Sequence, residues 1–190
     1  MKRAHLFILS FFFMTLGFTQ EKKEVEKRIK ESEVHEDAIE WLEDAYENKR
    51  KTKWYYQTDG DEEVFEAKLK YKKHLHSVEF NLKGEVQNVE VLLKEKEMDK
   101  AVHQNITGYL ENNYNKYSFS KIQIKYTGEE DDLEDMIDEN EFEDITINYE
   151  IEYYGKTDSE DELWEGIFNE NGMFLEKRVV KIKATDNLDY

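Results

Sequence analysis

Apolar residues recur at helical spacing between Glu33 and about Arg50, and then alternate with polar residues up to residue 94. An amphipathic helix that buries one face is predicted by the stripe Val34, Ala38, Trp41, Leu42 and Ala45. Four segments with a period of two follow, over residues 53–58, 63–71, 76–82 and 86–94. They predict a meander of strands with one buried face.

The second half of the chain repeats this order. Another helical stripe is formed by Val102, Ile106, Tyr109, Leu110 and Tyr114. Strand-like segments follow near residues 120–126, 144–153, 163–169 and 174–183. The chain is therefore predicted to be α+β, with two tandem units, each an amphipathic helix packed on a four-stranded antiparallel sheet. Because a covered sheet still has free edges, the two units are expected to extend one sheet or to pack side by side.

One turn motif supports the repeat residue by residue. Phe80-Asn81-x-x-Gly84 in the first half matches Phe168-Asn169-x-x-Gly172 in the second. A tight hairpin needs one residue at positive φ, which glycine supplies at little cost. The phenylalanine is expected to anchor each hairpin to the core.

The N-terminus predicts a signal peptide over residues 1–19. Lys2 and Arg3 precede an apolar run from Leu6 to Phe18, which is too short to cross a bilayer as a helix. After cleavage, residues 20–97 would form unit 1, beginning with a charged helix over Glu21 to Lys30. Residues 98–190 would form unit 2, with an acidic insertion at 129–144. The protein is expected to be periplasmic or secreted, without membrane contact after cleavage, and the absence of cysteine favours a bacterial periplasm.

The net charge of the chain limits the classes of molecule that it can bind. The formal net charge is -18, which disfavours nucleic acid and anionic membrane surfaces because both require basic protein surfaces. Cationic partners and metal ions remain. Strong acidity also keeps a protein soluble, and a monomer is expected.

A family resemblance rests on the helix, on Lys53-Trp54 opening a strand, and on the Phe-Asn-x-x-Gly turn in both halves. This arrangement resembles the PepSY-like repeat of exported Bacteroidota proteins. The resemblance implies the fold of β-lactamase-inhibitor proteins and covers residues 33 to 183. Members of the family mostly have no assigned activity, so an inhibitory role is an expectation by analogy.

The acidic insertion is a candidate cation site. Its possible oxygen ligands for Ca²⁺ are Asp131, Asp132, Asp135, Asp138 and Glu141. The stretch lacks the ordered spacing and central glycine of an EF-hand. It is alternatively a solvated hairpin extension with a short helical turn at Leu133, Met136 and Ile137. The pair His74 and His76 offers two ligands, which do not make a metal site alone.

The sequence contains no recognisable catalytic motif, so we expect no enzyme and no cofactor beyond a possible Ca²⁺ ion.

Adjacent aromatic residues on a strand point to opposite faces, so some of the aromatic side chains must face outward. A binding surface is predicted from Trp54, Tyr55, Tyr56, Tyr153 and Tyr154. The outward rings alternatively pair across strands on a solvent-exposed sheet face.

We expect a non-enzymatic binding module of the cell envelope that engages a protein or peptide through this aromatic sheet face. Inhibition of that partner is one form that this function could take. The alternative is an acidic periplasmic protein that binds divalent cations.

Overall fold

A computed structural model describes residues 21–47 and 51–181. The predicted signal peptide lies outside these residues. In the described part of the chain, no helix is long and apolar enough to cross a membrane.

Within the described ranges the chain forms three α-helices and ten strands. The helices are α1 (Glu36–Ala45), α2 (Lys100–Asn113) and α3 (Glu130–Asp138). The strands are β1 (Glu21–Lys22), β2 (Val25–Ile29), β3 (Lys53–Asp59), β4 (Glu62–Tyr71), β5 (His74–Phe80), β6 (Val86–Leu92), β7 (Lys116–Thr127), β8 (Thr146–Lys156), β9 (Asp161–Asn169) and β10 (Phe174–Val180).

All ten strands belong to one mixed sheet, in the order β1-β10-β9-β8-β7-β6-β5-β4-β3-β2. The pair β1 and β10 is parallel, and the other pairs are antiparallel. The prediction of two tandem units with separate four-stranded antiparallel sheets is therefore wrong. The halves are joined because β6 pairs with β7, for example at Val91 and Ile124. This pairing satisfies backbone groups that two separate sheets would leave on free edges.

The charged helix predicted over Glu21 to Lys30 is also wrong, because this segment forms β1 and β2. The alternating charges of this segment are compatible with a helix surface or with a strand. The segment becomes strand because it pairs with the edge strands at both ends of the sheet. Lys22 pairs with Val180 on β10, and Ile29 pairs with Trp54 on β3. Backbone pairing with two open edges outweighs the weak helical preference of the segment.

The sheet is strongly curved. In sheet order β10 lies seven spacings from β3, which would separate flat strands by about 34 Å. Nevertheless Arg178 Nη1 on β10 donates to Asp59 Oδ2 on β3 at 2.7 Å. The backbone N–H of Lys23, between β1 and β2, donates to Asp59 Oδ1 at 2.8 Å. The two ends of the sheet therefore meet, and one face is concave.

The helices cover the opposite, convex face in two apolar clusters. The first cluster joins α1 and α3 to β3–β6 and buries Ala38, Trp41, Leu42, Ala45, Tyr46, Trp54, Ala67, Leu69, Val78, Phe80, Val86, Val89, Leu133, Met136 and Ile137. The second joins α2 to β7–β9 and buries Met98, Val102, Ile106, Leu110, Tyr114, Ile122, Tyr149, Ile151, Tyr153, Trp164 and Phe168. The concave face carries no helix among the described residues.

The turn motif has the same local structure in both places. Asn81 Oδ1 accepts from the N–H groups of Lys83 and Glu85 at 2.9 and 3.1 Å. Asn169 Oδ1 accepts in the same way from Asn171 and Met173 at 3.0 and 2.9 Å. The φ angles of the two glycines, Gly84 and Gly172, are 91° and 75°. The prediction of a positive φ at this glycine is confirmed.

Alanine at Gly84 should cost more stability than alanine at Gly60. Both glycines have positive φ, which costs an alanine about 1–2 kcal/mol. A Cβ at Gly84 would also lie 2.9 Å from the backbone nitrogen of Ala38, whereas a Cβ at Gly60 would meet nothing within 4 Å. Urea unfolding of the two variants measures the difference. Equal losses would show that the first turn of α1 moves aside without cost.

Candidate functional site

The concave face of the sheet is polar and largely buried. Nine polar or charged residues on it are each 9 % exposed or less: Lys22, Gln57, Glu66, Ser77, Asn88, Glu90, Gln123, Glu150 and Glu165. Strand alternation places them opposite the apolar clusters, and the curvature brings their side chains together. Four of them are carboxylates and one is a lysine. The buried charge of this face is therefore predominantly negative.

One group of charges fastens the first strand across the sheet. Lys22 Nζ lies 2.5 Å from Glu165 Oε2, and Arg178 Nε donates to Glu165 Oε1 at 2.6 Å. Burial raises the pKa of Glu165, but the two cations outweigh it and hold this pKa below its usual value. Breaking a buried pair of this kind leaves an uncompensated charge, so the loss of one partner would destabilise the closed sheet.

A second group lies in the middle of the sheet. Lys125 Nζ lies 3.0 Å from Glu150 Oε1 and 3.5 Å from Glu90 Oε1. Gln123 Nε2 donates to Glu90 Oε2 at 2.9 Å. Burial and the neighbouring charge of Glu90 raise the pKa of Glu150. In this group one lysine forms ion pairs with two buried carboxylates.

The third group surrounds Glu79, with residues from four adjacent strands. Gln57 Nε2 donates to Glu79 Oε1 at 3.1 Å, and Asn88 Nδ2 donates to Glu79 Oε2 at 2.7 Å. Glu66 is the cross-strand partner of Glu79. The hydroxyl of Ser77 donates to Glu66 Oε1 in a short hydrogen bond. We call Gln57, Glu66, Glu79 and Asn88 the Glu79 cluster.

Three buried oxygens of the Glu79 cluster have no hydrogen-bond donor among the described residues. They are Gln57 Oε1, Glu66 Oε2 and Asn88 Oδ1. Lys68 Nζ lies 3.2 Å from Glu66 Oε2 as an ion pair. A buried acceptor without a donor costs about 1–3 kcal/mol, so this cluster is short of donors or of positive charge.

Burial raises the pKa of Glu66 from its ordinary value of 4.5 to about 8. Lys68 on the same strand lowers this pKa, while Glu26 on β2 and Glu79 on β5 raise it, and the hydrogen bond from Ser77 lowers it. Because the pKa is higher in the folded protein than in the unfolded chain, the folded state binds this proton more tightly. The contribution of Glu66 to stability is complete below pH 4.5 and is lost as the pH rises through about 8.

Glu66→Gln should therefore become more stable relative to the wild type as the pH rises from 5 to 9. The difference in the free energy of unfolding should change by up to about 1.4 kcal/mol per pH unit. Urea unfolding at several pH values measures it. The control is Glu62→Gln, an exposed carboxyl on the same strand. A difference between Glu66→Gln and the wild type that stays constant with pH would contradict the shifted pKa.

The predicted aromatic binding residues do not form one surface. Trp54 and Tyr153, 3 % and 0 % exposed, belong to the two apolar clusters and cannot be part of an exposed surface. Tyr56 packs edge-on against Phe65 on the convex side. By strand alternation Tyr55 and Tyr154 lie on the concave side, five strands apart in sheet order, and only Tyr154 is exposed. The strand face on which each ring lies, and not its size, therefore decides which rings are buried.

The acidic insertion is not a solvated hairpin extension. The helical turn expected at Leu133, Met136 and Ile137 is confirmed as part of α3, and all three residues are buried in the first cluster. Of the predicted cation ligands, Asp135 and Asp138 come together with Glu139, with ligand oxygens within 4.8 Å of one another. Asp131 and Glu141 are exposed and Asp132 is half-buried, outside this group.

The histidine pair is divided between two environments. His76 is buried, and its Nδ1 lies 3.1 Å from the hydroxyl of Tyr46. His74 is half-exposed, with Nε2 3.6 Å from Glu97. Burial lowers the pKa of His76 to about 4, so it belongs to the core as a neutral side chain.

Known proteins share the fold but not the sequence. No protein-family model matches the chain, and no curated protein matches it. The crystal structure of a DUF2874 family protein from Bacteroides ovatus ATCC 8483 is similar, with a TM-score of 0.55 and 14 % sequence identity. The match covers 77 % of this chain and 87 % of that chain. At this identity the similarity shows the fold alone, so the PepSY-like resemblance and the implied inhibitor fold are not confirmed.

Proposed function

We propose that this protein is a non-enzymatic binding protein that acts outside the cytoplasm and binds a basic segment of a partner protein or peptide on its concave face. The observation that carries this proposal is the excess of carboxylates on the only sheet face that the helices leave uncovered in the described part of the chain. A basic segment supplies the positive charge that this face lacks.

Carboxylates at the rim of the face remain reachable from solvent. The side chains of Glu24, Glu26 and Glu152 are 25 %, 30 % and 18 % exposed. Beneath them lie the buried carboxylates, whose field is weakly screened because little water separates them. The formal net charge of -18 adds long-range attraction for a cationic partner.

Binding is favoured over catalysis by the way the reactive groups are held. Ser77, the hydroxyl nearest to a buried carboxylate, is itself buried and donates its proton to Glu66. Glu90 and Glu150 share the charge of Lys125, and Glu165 is held by two cations. Groups fixed in this way position charge and do not present a nucleophile to a substrate.

Fluorescence anisotropy with a short labelled peptide of alternating lysine and glycine tests the proposal. The wild type should bind the peptide, with an affinity that falls as salt is added. Glu24→Gln combined with Glu152→Gln should weaken binding by at least about tenfold, since both carboxylates lie at the rim of the concave face.

A matched control removes the same charge from the convex side. Glu40→Gln combined with Glu43→Gln changes two exposed carboxylates of α1 and should leave the affinity within about threefold of the wild type. Equal weakening in both double variants would show that the peptide responds to net charge alone, and it would overturn the concave face as the binding surface. No binding by the wild type at low salt would overturn the function.

A further inference from the structure

We propose that the Glu79 cluster is a binding site for a calcium ion, with oxygens of Glu66, Glu79, Gln57 and Asn88 as ligands. The site is distinct from the acidic insertion on α3. It also goes beyond the binding of a basic segment, because it takes a metal ion at a defined position within the face.

The side chains of Gln57 and Asn88 meet at Glu79 although their strands are separate, and Glu66 is the cross-strand neighbour of Glu79. Gln57 lies on β3 and Glu79 on β5, so their backbones are about 9.6 Å apart in a flat sheet. The contact of 3.1 Å between Gln57 Nε2 and Glu79 Oε1 requires both side chains to lean towards the strand between them. Glu66 stands on that strand, β4, and Asn88 reaches Glu79 from β6. The concave curvature brings the side chains of Gln57, Glu79 and Asn88 together above the sheet.

The unpartnered oxygens show what is missing from the cluster. Gln57 and Asn88 are 8 % and 6 % exposed, and each has an amide oxygen without a hydrogen-bond donor. Glu66 is 4 % exposed, and the charged neighbour of its Oε2 is Lys68 Nζ at 3.2 Å. The amides of Gln57 and Asn88 use their NH₂ groups on Glu79, which fixes their orientation. Amide oxygen and nitrogen share one carbon, so each free oxygen lies within about 5.5 Å of the Glu79 carboxylate. Two ligands of one calcium ion at about 2.4 Å each are at most about 4.8 Å apart, so a free amide oxygen can share an ion with Glu79 only from the nearer part of this range.

The charge of Glu79 is less compensated than that of Glu66. Glu66 and Glu79 are direct cross-strand neighbours, a placement that is unfavourable for two like charges. Lys68 lies 3.2 Å from Glu66, but it also lies 2.6 Å from Glu26. No lysine, arginine or histidine nitrogen of the described residues lies within 4 Å of the Glu79 carboxylate. A divalent cation would supply the charge that Glu79 lacks.

The ligand set selects the ion. All available ligands are oxygens: two carboxylates, two amide carbonyls and the hydroxyl of Ser77 next to Glu66. Ca²⁺ accepts about 6–8 oxygens in a flexible geometry, whereas Zn²⁺ and Cu²⁺ prefer nitrogen and sulfur. Mg²⁺ requires a near-ideal octahedron, which side chains from four separate strands are poorly suited to provide. Glu79 is half-exposed, which gives an ion and its remaining waters access.

The carboxylates on α3 provide the competing location. Asp135, Asp138 and Glu139 are close together but exposed, and none of them has a buried oxygen without a donor. Water already hydrogen-bonds to exposed carboxylates, so their burial provides no free energy that would favour a bound ion. This group therefore serves as the control.

Isothermal titration calorimetry with CaCl₂ in chelator-treated buffer tests the site on the purified protein. The wild type should bind one Ca²⁺ with a dissociation constant of roughly 10⁻⁵–10⁻³ M, the range of exposed sensor and extracellular sites. Glu79→Gln should weaken binding at least about tenfold, because a charged ligand becomes neutral. Asn88→Leu keeps both carboxylates and should weaken binding as well. Asp135→Asn combined with Asp138→Asn should bind as the wild type does.

Circular dichroism establishes that each variant is folded, and Asn88→Leu decides the outcome if Glu79→Gln does not fold. An absence of heat at millimolar Ca²⁺ in the wild type would overturn the site. Loss of binding only in the Asp135 and Asp138 variant would place the ion on α3 and overturn it as well. Peptide anisotropy in the presence of chelator separates the two proposals: peptide binding without calcium binding removes only the metal site, and calcium binding without peptide binding removes only the proposed function.

Discussion

Deletion of residues 130–141 is expected to unfold the first apolar cluster. The deletion removes α3, whose residues Leu133, Met136 and Ile137 are buried against α1 and β6. It also removes the backbone acceptor of Glu130 for Trp41 Nε1, a contact of 3.2 Å. Truncating one buried leucine to alanine already costs about 2–5 kcal/mol, so the loss of three large buried side chains exceeds the stability of many small domains.

Thermal melts followed by far-ultraviolet circular dichroism measure this effect. Leu133→Ala should lower the free energy of unfolding by about 2–5 kcal/mol, and the exposed Asp138→Ala on the same helix should change it by less than about 0.5 kcal/mol. A deletion variant that melts near the wild-type temperature would contradict the position of α3 in the core.

Phe80→Ala and Phe168→Ala should each cost about 3–5 kcal/mol. Both rings are fully buried. Phe80 lies between Trp41 and Trp54, with ring centroids 5.7 and 5.8 Å away. Phe168 packs against Tyr109 at 5.5 Å and Phe174 at 5.7 Å. Each truncation would leave a cavity between the sheet and the helix that covers it.

Phe142→Ala is the matched control, because this phenylalanine is 44 % exposed and has one aromatic neighbour, Tyr126 at 6.0 Å. Its replacement should cost less than about 1 kcal/mol. Urea unfolding of the three variants gives the values under the same conditions. A loss at Phe142 as large as that at Phe80 would show that the turn motif does not anchor the core.

The sequence predicted local structure correctly where one short segment contains all the residues that determine that structure. The stripe from Ala38 to Ala45 and the glycine of each Phe-Asn-x-x-Gly turn predicted α1 and the hairpins correctly. The pairing of β6 with β7 and the strand character of residues 21–29 depend on partners far along the chain. Hydrophobic period does not encode which edge a strand finds, so a four-stranded unit and half of a ten-stranded sheet give the same pattern.

The polar residues of the concave face are recognisable in the strand pattern, but their burial together was not predicted. Gln57, Glu66, Glu79 and Asn88 all occupy the polar phase of alternating strands, a position that normally faces solvent. Only the curvature, closed by Asp59 and Arg178, buries them. The aromatic residues drew the prediction towards Trp54 and Tyr153, which are buried because strand alternation places them on the face that the helices cover.

The parallel pairing of β1 with β10 links Glu21 to Val179, close to the two ends of the described chain. A contact between positions so distant along the chain carries a large loop-closure entropy and forms late in folding. Because a chain is synthesised from its N-terminus, the first strand is made long before its partner and stays unpaired until the last strand has followed. The sheet can therefore close on itself only after almost the whole described chain is available.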